Sequence, residues 1–293
     1  MKKNTKNPLL CPKCLLAAVI VFCGAIFLTS GYLQMLKDPS LLAGGLDLGV
    51  VKLSLYGISL STAFAVGFLV FELNRRSSLK LGEIENKIFN VEEMALWVVV
   101  FGVIGARLYH LVTDWYRYLD NPIAVFYLWN GGLGIFGGIL GGAFALWLYC
   151  RKTKVSFPRI LDLAAISLPL AQFIGRFGNL FNRELGGTAT DLPWGMAVSG
   201  QSGLVHPTFL YEQIGDILLF AFLYWAFKAK KLIPGNLDFI ISYLAGYGFI
   251  RFAVDCFRLE PKTLFGFMTT AQGVSILLLA VATAMLLARK YKQ

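Results

Sequence analysis

Long apolar runs alternate with short polar segments along most of the chain. Eight runs are long enough to cross a bilayer as helices, because the hydrocarbon core is spanned by roughly 20 apolar residues. The runs cover approximately residues 15–35, 54–72, 93–113, 123–150, 159–181, 208–227, 236–256 and 265–288. This pattern predicts an all-α, polytopic integral membrane protein with about eight transmembrane helices.

The first run has the flank of a secretory signal without its cleavage site. Lys2, Lys3, Lys6 and Lys13 precede it, as basic residues precede the apolar region of a signal peptide. The apolar stretch is long, however, and no A-x-A-like sequence follows it. We therefore expect a retained span.

Composition and charge favour a membrane protein over a soluble or nucleic-acid-binding one. Of the 293 residues, 57% are hydrophobic and 15% are charged, whereas a soluble domain carries roughly 25% charged residues. The formal net charge is +10, but the basic residues form short clusters between apolar runs and build no basic domain. The sequence therefore predicts contact with the lipid bilayer and no nucleic-acid partner.

The five cysteines predict neither a disulfide framework nor a metal centre. Their number is odd, and most lie in or beside apolar runs, unlike the paired cysteines of small secreted domains. Cys11 and Cys14 form a single CxxC motif, and a zinc site would need two further ligands nearby. We expect reduced thiols close to the membrane, with no metal and no cofactor.

The distribution of lysine and arginine predicts the orientation of the chain. With eight spans, the connecting segments alternate between two sides, and one set contains eighteen basic residues against six in the other. Both termini belong to the basic set. Since basic residues are enriched in cytoplasmic segments, both termini are predicted to lie in the cytoplasm.

A polar cluster follows the fifth apolar run, in the sequence GRFGNLFNRELGG at residues 175–187. Helical spacing places Arg176, Asn179 and Arg183 on one face. The planar guanidinium of arginine is suited to phosphate, because it gives paired, charge-assisted hydrogen bonds. The alternative is a snorkelling arginine among polar residues that end the helix, but several polar residues together favour a site for an anion.

Other polar residues are predicted at the same depth in the membrane. The orientation places them near the outer ends of their spans: Tyr56, Arg107, His110, Asn130, His206 and Arg251. Ionisable groups within the membrane are costly and usually mark a functional site. We therefore expect the site on the outer-leaflet side.

The polar cluster resembles the signature of the bacterial prolipoprotein diacylglyceryl transferase family, Gly-Arg-x-Gly-Asn followed by an Asn, a Glu and a Gly. Other motifs match in order, from about residue 50 to the C-terminus. They are Tyr56-Gly57, Gly105-x-Arg107, Asn130-Gly131-Gly132, His206-Pro207-Thr208 with Tyr211-Glu212, and Tyr247-Gly248 leading to Arg251, Asp255 and Arg258. The resemblance implies transfer of the sn-1,2-diacylglyceryl group from phosphatidylglycerol to the lipobox cysteine of a prolipoprotein, in the bacterial plasma membrane.

The resemblance and the polar pattern together nominate the site residues. The catalytic candidates are Arg176, Arg251 and His206. The substrate-binding candidates are Tyr56, Arg107, Asn130, Gly131, Gly132, Asn179, Asn182, Glu184, Tyr247 and Arg258. The two catalytic arginines are expected to bind the lipid phosphate and to stabilise the charge that develops on the leaving group.

Two features depart from the family pattern. The family usually has seven spans, so we interpret residues 1–45 as an N-terminal extension, with a cytoplasmic CxxC tail and an extra helix, before a transferase domain at residues 46–293. Many members also place a histidine, a catalytic candidate, where this chain has Phe136. The thiol proton then has two alternatives: capture of the substrate thiolate without a dedicated base, which we favour, or His206 as the base.

Two further interpretations stay open. The run GGLGIFGGILGG at residues 131–142 fits either close helix packing or an interrupted span that admits lipid. For the whole chain, the alternative function is a secondary transporter of an anionic or lipid-like substrate. A transporter predicts repeated halves and polar groups at mid-membrane, and the sequence shows no internal repeat.

Overall fold

A computed structural model describes residues 46–47, 52–53, 55–80, 89–127, 131–182, 184, 186–198, 203–258 and 266–291. The first predicted span, the CxxC motif, Asn130 and Arg183 lie outside these residues. The chain divides into two compact units, of which one contains residues 75–161 and the other contains residues 1–74 and 162–293.

Within the described residues, eight α-helices account for most of the chain. In order they are α1 (Leu55–Lys80), α2 (Val91–Thr113), α3 (Ile135–Thr153), α4 (Phe157–Gly175), α5 (Phe177–Asn182), α6 (Thr208–Lys228), α7 (Asp238–Asp255) and α8 (Thr270–Lys290). Two 3-10 helices, η1 (Trp115–Tyr118) and η2 (Pro122–Phe126), separate α2 from α3. The protein is mostly helical, as the sequence predicted.

In the part of the chain that the structure describes, five segments are long and apolar enough to cross a membrane: Leu55–Ser78, Val91–Thr113, Phe157–Asn182, Thr208–Lys228 and Thr270–Lys290. Each coincides with a predicted span. Helix α7 also covers the span predicted at residues 236–256. The total of eight spans stays a prediction.

The span predicted at residues 123–150 is wrong in its first third. Helix α3 begins only at Ile135, and η2 occupies the start of the predicted span. Gly131 and Gly132 have φ angles of 79° and 73°, a left-handed conformation that interrupts a right-handed helix and that glycine adopts easily. The apolar residues before Gly131 did not predict this interruption of the helix.

Glycines bring α2 and α3 into close contact within the unit of residues 75–161. A Cβ atom added to Gly105 would lie 2.3 Å from the backbone oxygen of Gly137, and one added to Gly141 would lie 2.2 Å from that of Phe101. Only glycine permits this approach of two backbones. The interpretation of the glycine-rich run as a helix-packing surface is confirmed, and admission of lipid stays a prediction.

The span predicted at residues 159–181 is two helices, because the chain turns at Arg176. The Asn179 N–H donates to the Arg176 carbonyl at 3.1 Å, a bond to the third residue back that tightens the chain into a 3-10-type turn. Helix α4 ends at Gly175 and α5 begins at Phe177. The turn therefore places Arg176 at the junction of the two helices.

The all-α prediction omitted short strands. Residues Gly186–Ala189 (β3), Met196–Ala197 (β4) and Leu204–Pro207 (β5) form an antiparallel sheet in the order β3-β5-β4, and Leu46–Asp47 (β1) pairs with Lys52–Leu53 (β2). Strands of two to four residues are too short to show a period of two in the sequence. Strand β5 runs directly into α6, so the sheet fixes the start of that helix.

Apolar side chains of α1, α4, α5 and α6, with Met196 of β4, form a buried core. Its buried residues include Ala63, Val70, Phe173, Leu180 and Phe209. In a bilayer, where lipid tails are as apolar as these side chains, packing of this kind stabilises the helices through van der Waals contacts. The core therefore holds together the helix ends that carry the polar cluster.

Candidate active site

Two arginines converge on one buried carboxylate in the unit that contains residues 162–293. Arg176 lies at the turn between α4 and α5, Arg251 lies near the end of α7, and Glu212 lies near the start of α6. Arg176 Nη2 donates to Glu212 Oε1, and Arg251 Nη1 donates to Glu212 Oε2 at 3.0 Å. The Glu212 side chain is 1% exposed, whereas the arginine side chains are 20% and 16% exposed. Each arginine therefore keeps an accessible part while the carboxylate has none.

Tyr247 joins the same network from α7, one helical turn before Arg251. Its hydroxyl donates to Glu212 Oε1 at 3.1 Å and lies 3.5 Å from Arg176 Nη2. Charge-assisted hydrogen bonds of this kind are stronger than neutral ones. Three separate parts of the chain thus fix the positions of both guanidinium groups.

A second group of polar side chains supports Arg176 from α5. Arg176 Nη1 lies 3.5 Å from Asn179 Oδ1, and Asn179 Nδ2 donates to Glu184 Oε1 at 2.9 Å. Asn182 Nδ2 lies 3.5 Å from the same oxygen. The polar residues of the signature therefore form one hydrogen-bonded chain, and they do more than end a helix.

Gly178 makes room for Tyr56 beside this chain. A Cβ atom at Gly178 would lie 2.7 Å from Cδ2 of Tyr56, so a larger residue would push the ring away. Tyr56 lies in the first turn of α1 and is 37% exposed. The ring therefore borders the cluster and remains partly accessible.

Arg251 is supported from the other side by Asp255. Arg251 Nη2 lies 3.9 Å from Asp255 Oδ1, and the Thr269 hydroxyl donates to Asp255 Oδ2. Arg258 follows α7, is buried, and pairs through its backbone with Gly187. The end of α7 is thereby tied to strand β3 and to the residue that caps α8.

His206 lies at the wall of an apolar cavity next to the start of α6. The cavity has a volume of about 380 Å³ and is lined by Leu192, Trp194, His206, Tyr211, Ala253, Val254 and Phe257. His206 Nδ1 is 2.8 Å from the Tyr211 hydroxyl, and Trp194 Nε1 donates to that hydroxyl at 3.0 Å. Among the described residues, the Tyr211 hydroxyl is the hydrogen-bond partner of the histidine ring.

Arg107 organises a loop in the unit of residues 75–161. Its five N–H groups are directed at five backbone carbonyls, those of Ala124, Val125, Tyr127, Gly131 and Gly132. Arginine has five N–H donors, so none is left over in this conformation. The position of Gly132 is part of the arrangement, because a Cβ atom there would lie 2.7 Å from Arg107 Nη1.

His110 lies beside this loop and pairs with Tyr118. His110 Nδ1 is 2.8 Å from the Tyr118 hydroxyl. The Tyr118 ring also lies under the Arg107 guanidinium, 5.2 Å from its carbon to the ring centroid. His110 thus supports the loop through a neighbouring side chain.

Glu212 and Asp216 are site residues that the sequence argument did not nominate. Glu212 lies 36 residues from Arg176 and 39 from Arg251 along the chain, and such separations follow no periodic pattern. Two signals were available. Glu212 belongs to the Tyr211-Glu212 motif, and both acids lie within an apolar run, one helical turn apart.

Comparison with known proteins matches most of the chain to one family. The family model described as prolipoprotein diacylglyceryl transferase matches residues 45–288. The chain belongs to the prolipoprotein diacylglyceryl transferase family.

Several relatives in this transferase family carry the name phosphatidylglycerol–prolipoprotein diacylglyceryl transferase. The Finegoldia magna protein is 33% identical over 239 residues, which cover 81% of this chain and 91% of the relative. The Fervidobacterium nodosum protein is 36% identical over 233 residues, covering 76% and 78%. The Streptomyces griseus protein is 36% identical over 223 residues, covering 73% and 67%.

Proposed function

We propose that this protein transfers the sn-1,2-diacylglyceryl group of phosphatidylglycerol to the lipobox cysteine of prolipoproteins. A carbon–sulfur bond forms, the bond between the diacylglyceryl carbon and the phosphate oxygen breaks, and glycerol phosphate leaves. The observation that carries the proposal is the pair Arg176 and Arg251, which share one carboxylate in a member of this family.

The arginine pair is built to receive a phosphate. Glu212 occupies N–H donors of both guanidinium groups, and a phosphate oxygen accepts from the same donors with the same geometry. As the bond to the phosphate oxygen breaks, negative charge grows on the leaving group. Two fixed cations at that position stabilise the transition state more than the ground state.

The remaining signature residues hold or border this pair. Asn179, Asn182 and Glu184 form the hydrogen-bonded chain that supports Arg176. Tyr56, Tyr247 and Arg258 are substrate-binding candidates beside the network. Their role in the proposal is to hold the lipid headgroup so that its phosphate meets both arginines.

For Arg107 the proposed role is to shape the substrate-binding loop. All five of its N–H donors point to loop carbonyls, so it positions Gly131 and Gly132 without itself binding the phosphate. Asn130 remains a substrate-binding candidate on the resemblance alone.

The cysteine thiol enters the site as its thiolate. A free thiol has a pKa of roughly 8.5, which a positive field lowers, so two arginines nearby increase the reactive fraction. His206 is the alternative acceptor of the thiol proton, since it lines the apolar cavity. No metal or cofactor enters the proposed reaction.

The protein is a multi-pass membrane protein, and the proposal places it in the bacterial plasma membrane. Both termini lie in the cytoplasm, the site faces the outer leaflet, and residues 1–45 form an extension before the transferase domain at residues 46–293. The support is the excess of basic residues in alternate segments.

The proposed reaction is tested with purified protein in vesicles and a lipobox peptide. With phosphatidylglycerol present, mass spectrometry is expected to show the peptide heavier by one diacylglyceryl group on its cysteine. A peptide with serine in place of that cysteine, and vesicles of phosphatidylcholine alone, are the controls and should give no product. An unchanged peptide mass in the complete reaction would contradict the proposal and leave the transporter alternative.

A further inference from the structure

Asp216 is a fully buried carboxyl group next to the arginine network. It forms no hydrogen bond with that network. It is 0% exposed, and neither of its oxygens has a hydrogen-bond partner among the residues that the structure describes. An ionised carboxylate without partners in an apolar interior is strongly destabilising. Burial without hydrogen-bond partners therefore favours the protonated form of Asp216.

The position of Asp216 connects it to Glu212. The two acids are four residues apart on α6, which places them on the same helix face. The charged groups within electrostatic reach of Asp216 are Glu212, Arg176 and Arg251. Tyr243 and Tyr247 of α7 face the same cluster.

Binding of a lipid phosphate changes the balance of charge in this cluster. Before binding, two guanidinium groups balance the carboxylates of Glu212 and Asp255. A phosphate that takes over Arg176 and Arg251 brings one more negative charge and removes the cationic partners of Glu212. Glu212 is 1% exposed, so water does not readily replace those partners.

We infer that Asp216 is a positioning residue that keeps its proton and donates it in a hydrogen bond to Glu212 when a lipid phosphate displaces Glu212 from the arginines. The lipid in this inference rests on the proposed function. A carboxylic acid paired with a carboxylate makes a short, strong hydrogen bond, so the displaced Glu212 is stabilised where it lies. Asp216 thus lowers the free energy of the lipid-bound state and raises the affinity for phosphatidylglycerol.

The first test is the KM for phosphatidylglycerol as a function of pH. In the wild type, KM is expected to rise at alkaline pH, because loss of the shared proton leaves two carboxylates beside the phosphate. Asp216→Asn retains a hydrogen-bond donor that does not titrate, so this rise should disappear. Asp216→Leu removes the donor and should raise KM by about tenfold or more at every pH, with a smaller effect on kcat.

Two kinetic outcomes would overturn the inference. One is an equal increase of KM at neutral pH in Asp216→Asn and Asp216→Leu, since that would show a need for the ionised carboxylate. The other is the same dependence of KM on pH in Asp216→Asn as in the wild type.

The second test is infrared spectroscopy of the full-length protein, which does not depend on turnover. A carbonyl band of a protonated carboxyl group is expected in the wild type, absent in Asp216→Asn, and shifted by phosphatidylglycerol vesicles but not by phosphatidylcholine vesicles. Asp162→Asn is the matched control and should leave the band in place. Asp162 is also 0% exposed, but it accepts hydrogen bonds from the N–H groups of Gly235, Leu237 and Ile240.

The infrared result separates this inference from the proposed function. A missing band, or a band that phosphatidylglycerol does not shift, would overturn the role of Asp216 even if transfer is observed. A lipid-dependent shift in a protein that produces no modified peptide would contradict the transferase proposal and leave the exchange at Glu212 standing. The wild-type shift is measured whether or not Asp216→Leu folds.

Discussion

Arg176 and Arg251 carry like charges within one network, and Glu212 is the residue that holds them together. Two guanidinium groups repel each other strongly where the local dielectric constant is low. The Glu212 carboxylate binds one arginine with each oxygen, so the two cations are set side by side before any lipid arrives. Loss of the Glu212 carboxylate should therefore move the two guanidinium groups apart.

The two alternatives for the thiol proton differ in whether His206 accepts it. Since we favour thiolate capture, His206→Gln should keep the transfer rate within about tenfold of wild type, and both rates should rise with pH as the substrate thiol ionises. The measurement is transfer rate against pH. A loss of at least about a hundredfold in transfer rate in a folded His206→Gln variant would instead make His206 the base.

The position of Phe136 gives a separate test. A marked increase in transfer rate at neutral pH in Phe136→His would show that this chain lacks a group its relatives use.

Residues that a sequence motif predicted to lie together do lie together in the structure, while their roles stay predictions. The segment of residues 175–187 identified Arg176, Asn179 and Glu184, and the structure joins them by hydrogen bonds. Asp216 belongs to no motif, and its significance comes only from burial and missing partners. Burial of this kind depends on packing between distant segments, which a single sequence does not show.

At the scale of elements, the closest packing in the described structure is between α2 and α3. Adding a Cβ atom to Gly137 would bring it within 2.1 Å of the Gly105 backbone oxygen, whereas at Gly138 the nearest atom would be 3.7 Å away. The two glycines are adjacent on one helix and differ mainly in this contact. They therefore offer a matched pair of substitutions.

Gly137→Ala should destabilise the helix pair, because α2 and α3 must separate to accept the methyl group. Overpacking of this kind costs typically about 1–3 kcal/mol, so the midpoint of thermal unfolding in detergent should fall by several degrees. Gly138→Ala should leave the midpoint nearly unchanged. Equal midpoints for both variants would contradict the packing described for α2 and α3.

Hydropathy alone did not predict the residue at which α3 begins. Residues 123–127 are as apolar as a transmembrane helix, yet they belong to η2 and the turn after it. Arg107 donates hydrogen bonds to backbone carbonyls of this segment. These bonds take the place of helical ones, and a hydropathy pattern does not predict them. Helix α2, by contrast, lies within two residues of its predicted bounds at each end.

Along the whole chain, basic residues cluster at alternate helix ends. The last turns of α3, α6 and α8 carry lysine or arginine, and cations at helix C-termini also interact favourably with the helix dipole. The same clusters give eighteen basic residues on one side against six on the other. The sequence therefore predicts an orientation, which stays a prediction, whereas it did not predict the arrangement of helices around Glu212.

The predicted topology has both termini in the cytoplasm. Fusions of a reporter that is active only in the cytoplasm should be active at either terminus, because the most basic segments stay inside. The same reporter inserted at residue 120, within the segment between α2 and α3, should be inactive and serves as the control. An external N-terminus would show that the first apolar run is cleaved or does not span.

We propose above that Arg176 and Arg251 bind the lipid phosphate. This role is tested by measuring the rate of transfer from phosphatidylglycerol in arginine variants. Arg176→Ala and Arg251→Ala should each lower kcat/KM by at least about a hundredfold while the protein still inserts, since the contact is strongest in the transition state. Lysine at either position should also be poor, because a point charge does not reproduce the planar fork. Arg117→Ala, at an arginine whose side chain is 61% exposed, is the control. Near-normal transfer in either alanine variant would contradict the account and remove that arginine from the mechanism.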